Sequence, residues 1–357
     1  MLNYILRRLM IVPLLLLGVT LLIFSIISLM NPLDRAQALF PAKLENRMRV
    51  RDYSGLVEKY GLDDPVYLQY WHWMVGREDP ETGEIQGGVL YGNLGWSQVG
   101  RTGVLEVIGK RGPATLELIL WSAIPMTVLS VWMGVKAAVN HNKPVDHFLR
   151  ISAITGWSIP NFVFGFLMIM LFTVELGWFS PGRIGLDFKT VVQSDEFVNY
   201  TQMYTVDALL NGRFDVFVDV LKHLILPLVT LAVANWAFLF RVTRFSMLEV
   251  LNQDYIMVAR SKGLPEEQVI RGHAFPNALN SVITVGGLTV VGFFNNAVIT
   301  EVVFNYPGLG AFLAESATSL DLVSVAGVTL VSSFILIMTN LFVDVLYGIV
   351  DPRVRLD

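Results

Sequence analysis

Cysteine is absent from the 357 residues. That excludes disulfides, thiolate metal sites and cysteine nucleophiles, and it leaves the redox compartment unspecified. Charge is scarce: 16% of residues are Asp, Glu, Lys or Arg, against about 25% in a soluble domain. No Gly-x4-Gly-Lys-Ser/Thr loop occurs, so any ATP used must be bound by another chain. The five histidines, His72, His141, His147, His223 and His273, are scattered. No pair has the His-Glu-x-x-His spacing of a zinc site. No Lys/Arg block resembles a phosphate-tracking patch and the net charge is -4, so no nucleic-acid partner is expected.

What the chain has in quantity is apolar length, with 54% hydrophobic residues. Residues 9–30 carry no charge from Leu9 to Met30, and ~20 residues at 1.5 Å rise suffice to cross a ~30 Å hydrocarbon core. The run is longer than the roughly 7–15 residues of a signal-peptide core. Ala36-Gln37-Ala38, which resembles a cleavage site, lies beyond Asp34 and Arg35. Residues 9–30 are therefore read as a retained first span. Further runs at 114–135, 151–176, 224–240, 281–303 and 322–349 predict an all-α polytopic membrane protein with about six transmembrane helices. Pro13, Pro125, Pro160 and Pro227 lie inside these runs. Each removes a backbone donor and favours a kink, which neighbouring helices can compensate.

The domain reading is an N-terminal segment and first span at 1–30, an extracytoplasmic cap at 31–112, a core of five spans at 113–350, and a cytoplasmic tail at 351–357. The cap is rich in aromatics, with an amphipathic helix expected around 65–75. The core carries an outer insertion at 177–222 and an inner loop at 241–280. Lys and Arg in short loops set orientation. With the N-terminus inside, the inner segments hold twelve: Arg7, Arg8, Lys136, Lys143, Arg150, Arg241, Arg244, Arg260, Lys262, Arg271, Arg353 and Arg355. The short outer loop at 304–321 holds none. Both termini are expected to be cytoplasmic.

The inner loop is too long for a simple connection. Leu251, Tyr255, Val258 and Ala259 recur at i, i+4, i+7 and i+8, one face of an amphipathic helix. Gly263 ends that helix, Pro265 suits the start of another, and Glu266 and Glu267 complement its dipole. Pro276 precedes the fifth span. Two short helices with a tight turn can plug into a partner's cleft, or can simply lie on lipid.

This segment resembles the coupling loop, called the EAA loop, of binding-protein-dependent ABC importer permeases of the dipeptide/oligopeptide branch. The matching positions are Asp254, Tyr255, Ala259, Arg260, Lys262, Gly263 and Leu264, then His273, Ala274, Asn277 and Ala278. Where the general pattern has Glu-Ala-Ala, this chain has Met257-Val258-Ala259. The resemblance extends through Tyr4-Ile5-Leu6-Arg7-Arg8, Tyr60-Gly61-Leu62-Asp63-Asp64-Pro65, Gln69-Tyr70, Tyr91-Gly92-Asn93-Leu94-Gly95 and Pro113-Ala114-Thr115-Leu116-Glu117-Leu118. It continues in Glu301-Val302-Val303-Phe304, Pro307-Gly308-Leu309-Gly310, Asn340, Asp344, Tyr347 and Asp351-Pro352-Arg353. Asn93 replaces the usual Asp, and the insertion at 187–220 is longer than the family leads one to expect.

The resemblance implies a type I permease-like bundle with a small extracytoplasmic cap, in a bacterial or archaeal plasma (inner) membrane. It implies a permease subunit of an ATP-driven importer for di- or oligopeptides or similar small solutes, with no cofactor and no bond chemistry of its own. The partners implied are a second homologous permease, two ATPase subunits that bind ATP and Mg, an extracytoplasmic solute-binding protein, and membrane lipid. An ion-coupled secondary transporter is the alternative. It predicts charges at the membrane midplane and two related halves. A membrane enzyme would need a nucleophile, metal or acid–base constellation, and the sequence offers none.

Glu117 and Glu175 lie near span ends, where interfacial exposure is expected. Asn295 and Asn296 in the fifth span, and Asn340 and Asp344 one turn apart in the sixth, either line the pathway or bond helix to helix. Pro307-Gly308 is read as the turn after the fifth span.

Overall fold

A computed structural model describes residues 2–32, 35, 57, 61–78, 85–86 and 88–350. The expected tail at 351–357, with Arg353 and Arg355, lies outside these residues, as do Tyr60 and most of the cap at 33–60.

The described residues are predominantly helical. Five helices are long and apolar enough to cross a membrane: Leu6–Ser28, Val104–Val139, Phe214–Val233, Ser281–Val303 and Leu322–Val345. A bent pair, Pro144–Ser158 with Asn161–Glu175, makes up to six. The helices that contain them are α1 (Leu2–Ser28), α3 (Val104–Val139), α4 (Pro144–Ser158), α5 (Asn161–Met168, continued by a wide π-helical stretch Ile169–Glu175), α8 (Phe214–Leu251), α11 (Phe275–Val303) and α13 (Leu322–Val350). Helix α2 (Val66–Val75) occupies the position expected near 65–75.

The third apolar run is not one continuous helix. Helices α4 and α5 meet at 102°. A proline disfavours helical backbone in the residue before it, and Ile159, preceding Pro160, is extended at φ -90°, ψ 123°. Pro13 and Pro227 sit inside unbroken helices, where only one hydrogen bond is forfeited.

The described residues divide into two compact units. One is built from Leu6–Pro113 and Gly308–Ile337. In it, α1 packs on α2 through Phe24 against Tyr70 and Trp73, and Thr20 hydrogen-bonds Tyr70 at 2.9 Å. Two small hairpins pair β1 (Arg77–Glu78) with β2 (Ile85–Gln86) and β3 (Trp96–Ser97) with β4 (Thr102–Gly103). The stretch 304–321, expected as a loop, contains α12 (Leu309–Thr318), with Gly308 preceding its first residue. Leu309 and Phe312 bury its apolar side against Val104, Val107, Ile108 and Val328. Buried Asp321 then accepts from Ser97 Oγ at 2.9 Å, from the backbone N–H groups of Gln98 and Val99, and from Ser324. A buried carboxylate costs little when it is this fully satisfied.

The other unit is built, among the described residues, from 2–5, Ala114–Pro307 and 338–350. Its core joins α3, α8 and α11 with the 177–222 insertion, which folds as α6 (Leu186–Val192) and α7 (Tyr204–Leu210). Helices α3 and α8 approach closely at Gly134, where a Cβ would lie 2.6 Å from Thr243 Cβ and 3.0 Å from the Phe240 carbonyl. Small residues are what permit such contact between spans.

Candidate coupling loop and buried ion pair

The loop after α8 begins with a break. Helix α8 ends at Leu251, and Asn252–Gln253 leave the helix before α9 (Asp254–Ser261) starts. The break resets the helical phase. Ile256 and Ala259 are therefore the buried pair of α9, packed with Ala138, Met247, Val269, Ala274 and Ala278. Of the face expected from Leu251, Tyr255, Val258 and Ala259, Ala259 is buried and Leu251 packs half-buried at the end of α8, while Tyr255 and Val258 point outward. Tyr255, Met257 and Val258 are 44%, 63% and 53% exposed. Burying a side chain such as Ile256 is worth about 1.5–3 kcal/mol, enough to hold a short helix whose other apolar side stays outward.

After α9 the chain turns at Gly263, whose φ is +78°. That conformation costs a residue with a Cβ roughly 1–2 kcal/mol. Pro265 caps α10 (Glu266–Gln268), with Glu266 and Glu267 in its first turn. A π-helical stretch, Val269–Ala274, then carries the chain into α11 without a break. Arg260 closes the turn by a two-pronged pair with Glu266, Nη2 to Oε1 at 2.6 Å and Nε to Oε2 at 3.0 Å. That bond holds the Glu266 carboxyl below its ordinary range and raises the Arg260 guanidinium. Lys262, Gly263 and His273 are exposed, Leu264 is half-buried, and Asn277, also exposed, bonds the His273 carbonyl at 2.7 Å. All the expected loop residues thus lie on one structural unit.

The residues expected to line a path or join helices are more scattered. Asn295 is exposed, while Asn296 is half-buried and donates to the Gly292 carbonyl at 3.0 Å. Asn340 and Asp344 are half-buried on α13. Two asparagines not singled out from the sequence sit in the same seam. Buried Asn235 of α8 faces Gly292, and Asn161 of α5 donates to Thr300 at 3.2 Å.

Glu117 departs most from expectation. It is 1% exposed rather than interfacial, whereas Glu175 is exposed. Arg183, from the 177–222 insertion, donates Nε and Nη2 to Glu117 Oε2 at 3.0 and 2.8 Å. Tyr306 donates its hydroxyl to the same oxygen at 3.1 Å. Thr205 gives both its backbone N–H and its hydroxyl to Oε1, at 2.6 and 2.7 Å. Arg183 also reaches the Gln202 carbonyl and stacks over the Tyr204 ring at 3.9 Å. Burial, then the neighbouring Glu117 charge, pushes the Tyr306 hydroxyl well above its usual value, so it stays a donor. The longer insertion is thereby fastened to α3 and to the turn after α11, where the Gly182 N–H also bonds the Phe304 carbonyl at 2.8 Å.

Residues 118–356 match the family described as the binding-protein-dependent transport system inner membrane component. Residues 1–119 match the corresponding N-terminal family of such membrane components. The chain belongs to this family. Among similar proteins, the oligopeptide transport system permease protein AppB of Bacillus subtilis is 37% identical over 354 residues, covering 99% of both chains. The di/tripeptide transport system permease protein DppB of Pseudomonas aeruginosa is 35% identical over 355 residues, again 99% of both. The probable D,D-dipeptide transport system permease protein DdpB of Escherichia coli is 38% identical over 317 residues, 88% of each chain. The bundle is that of a type I ABC importer permease, a multi-pass inner-membrane subunit that transports rather than catalyses and works with a solute-binding protein. The exposed side of α9 lies within the segment that the sequence marks as the family's coupling loop.

Proposed function

We propose that this permease carries di- or oligopeptides across the membrane as one half of a translocation path, paired with a second homologous permease. Two cytoplasmic ATPase subunits, which bind the ATP and Mg, dock on the coupling loops of the permease pair, in this chain within residues 248–278, and an external solute-binding protein delivers substrate. Both termini face the cytoplasm. The observation that carries the docking reading is the division of α9. Ile256 and Ala259 fix it to the chain's own helices while Tyr255, Met257 and Val258 are turned outward. Exposed apolar side chains clustered on one short helix mark a partner surface. Because α10 runs without a break into α11, a displacement of the docked loop is transmitted directly to a spanning helix. The peptide assignment is supported by the names of relatives that cover 99% of the chain. Asp254, Arg260, Lys262, Gly263, Leu264, His273 and Asn277 shape the loop, and Asn295, Asn296, Asn340 and Asp344 are candidates for lining the path or joining helices.

The test is ATP-dependent uptake of a labelled dipeptide by vesicles containing the assembled importer, native against Tyr255→Ala/Val258→Ser. The expected result is loss of uptake and of ATPase association with unchanged thermal stability, since exposed substitutions usually stay within about 0.5 kcal/mol. Full uptake by the variant would overturn the docking reading; uptake driven by an ion gradient without ATP would overturn the importer reading.

A further inference from the structure

Another buried carboxylate lies beside the loop's packing cluster. Asp146, in the first turn of α4, is fully buried. Arg244 of α8 grips it through Nε and Nη2 at 2.7 and 2.8 Å, and the Asn142 N–H donates at 3.0 Å. One carboxylate neutralises one guanidinium, and the short double bond assigns that partner to Arg244. Arg150 lies farther off, with Nε 3.5 Å from Asp146 and its side chain 38% exposed. Its Nε is buried and has no hydrogen-bond acceptor among the described residues, so the exposed part of the guanidinium is what a ligand meets. Its Nη2 contacts the His147 ring at 2.6 Å, which brings no negative charge. His141 stands 3.7 Å from Asp146 and 3.2 Å from Arg244, adding none either.

A third arginine lies on the facing stretch of α8, farther along α4. Arg241, one turn before Arg244, is exposed and stands over the Trp157 ring at 5.4 Å. Helix α4 and the facing stretch 237–247 of α8 thus hold three arginines against one carboxylate, a surplus of two positive charges. The surplus sits on an apolar floor. Arg150, Ile154 and Trp157 follow at i, i+4 and i+7, one stripe of α4. Ile154 and Trp157 are 65% and 54% exposed, and Phe238 of α8 stacks 6.4 Å from Trp157. Guanidinium forks match phosphate oxygens, and exposed apolar side chains beside them suit acyl chains. A free anion would use the arginines and leave the floor uncovered; a phospholipid uses both.

We propose that the corner between α4 and α8 binds an anionic phospholipid, with Arg150 and Arg241 holding the headgroup phosphate and Ile154, Trp157 and Phe238 lying against an acyl chain. Arg244 stays committed to Asp146 and holds the two helices together. The site adjoins the α9 packing cluster through adjacent residues of α3, Ala137 on the α4 side and Ala138 on the loop side. It does not depend on what docks on the loop.

The experiment is native mass spectrometry of the full chain in neutral detergent, titrated with phosphatidylglycerol and, separately, phosphatidylcholine. The expected result is preferential retention of phosphatidylglycerol by the native chain, roughly thirtyfold weaker in Arg150→Gln/Arg241→Gln. Arg150→Lys/Arg241→Lys, which keeps both charges, should retain most of the affinity, and Lys189→Gln in the insertion should leave it unchanged. Matching thermal melting of these variants excludes misfolding as the cause. Equal binding of both lipids by the native chain, or undiminished phosphatidylglycerol binding by the Gln double variant, would overturn the proposal. Displacement of the lipid by excess inorganic phosphate would reassign the site to a free anion and overturn it equally.

Discussion

Arg183 and Glu117 meet inside the protein, 2.8 Å apart with both side chains almost wholly buried. They are 66 residues apart in sequence, and the pair pins the 177–222 insertion to the start of a spanning helix. Thr205 and Tyr306 complete the carboxylate's bonds, so the charge is matched and solvated by protein.

Removing one partner leaves the other charge buried and unpaired, which costs about 3–5 kcal/mol. Arg183→Ala and Glu117→Gln should each lower the thermal midpoint of the purified permease sharply. The double variant Glu117→Gln/Arg183→Met should be less destabilised than the sum of the singles. Strictly additive losses would show that the two side chains do not act as a pair.

Gly134 marks a close approach of α3 to α8, with Thr243 and the Phe240 carbonyl where a side chain would go. Backbone cannot yield as a flexible side chain does. Gly134→Leu should therefore cost about 1–3 kcal/mol or more as an overpacked seam, read as reduced yield of folded protein and a lower midpoint. Gly109→Leu, where a Cβ meets nothing within 4 Å, should cost far less.

Arg260 and Glu266 give loop 252–274 a pH dependence of known sign. The Glu266 carboxyl is held below its ordinary value of 4.5 by Arg260. Its contribution is present above that value and fades as pH falls through the lowered one. Both groups are largely exposed, so the contribution is about 0.2–1 kcal/mol. Amide exchange at 263–269, corrected for intrinsic rates, should accelerate modestly below the carboxyl range in the native chain and show no such step in Glu266→Gln.

These features differ in how far the sequence discloses them. Apolar run length placed the spans because hydrocarbon thickness imposes it, and helices Leu6–Ser28 and Ser281–Val303 follow the runs closely. Run length carries no direction, so the 102° bend at Ile159–Pro160 was legible only as a proline that favours a kink. The apolar face counted from Leu251 to Ala259 ran across Asn252–Gln253, where the helix stops, so it did not single out Ile256 as the residue that anchors α9. Glu117 looked interfacial because it lies near a span end. Its partner comes from the insertion 66 residues on, which no local pattern connects to it. The stretch 304–321 hid α12 behind Pro307-Gly308, a turn signal that was correct but incomplete.

The central claim is that loop 252–274 couples this permease to an ATPase, and Gly263 offers the most direct test. Its backbone at φ +78° suits Gly and is tolerated by Asn, and a Cβ there would meet nothing within 4 Å. Substitution therefore alters the turn without crowding the core. The measurement is ATPase activity co-purifying with the tagged permease in mild detergent, for the native chain, Gly263→Asn, Gly263→Val and Gly263→Asp. Coupling through the loop predicts that activity accompanies the native chain and Gly263→Asn and is largely lost with the other two. An ATPase that stays bound and active with Gly263→Val and Gly263→Asp, or a native chain that purifies with none, would contradict it.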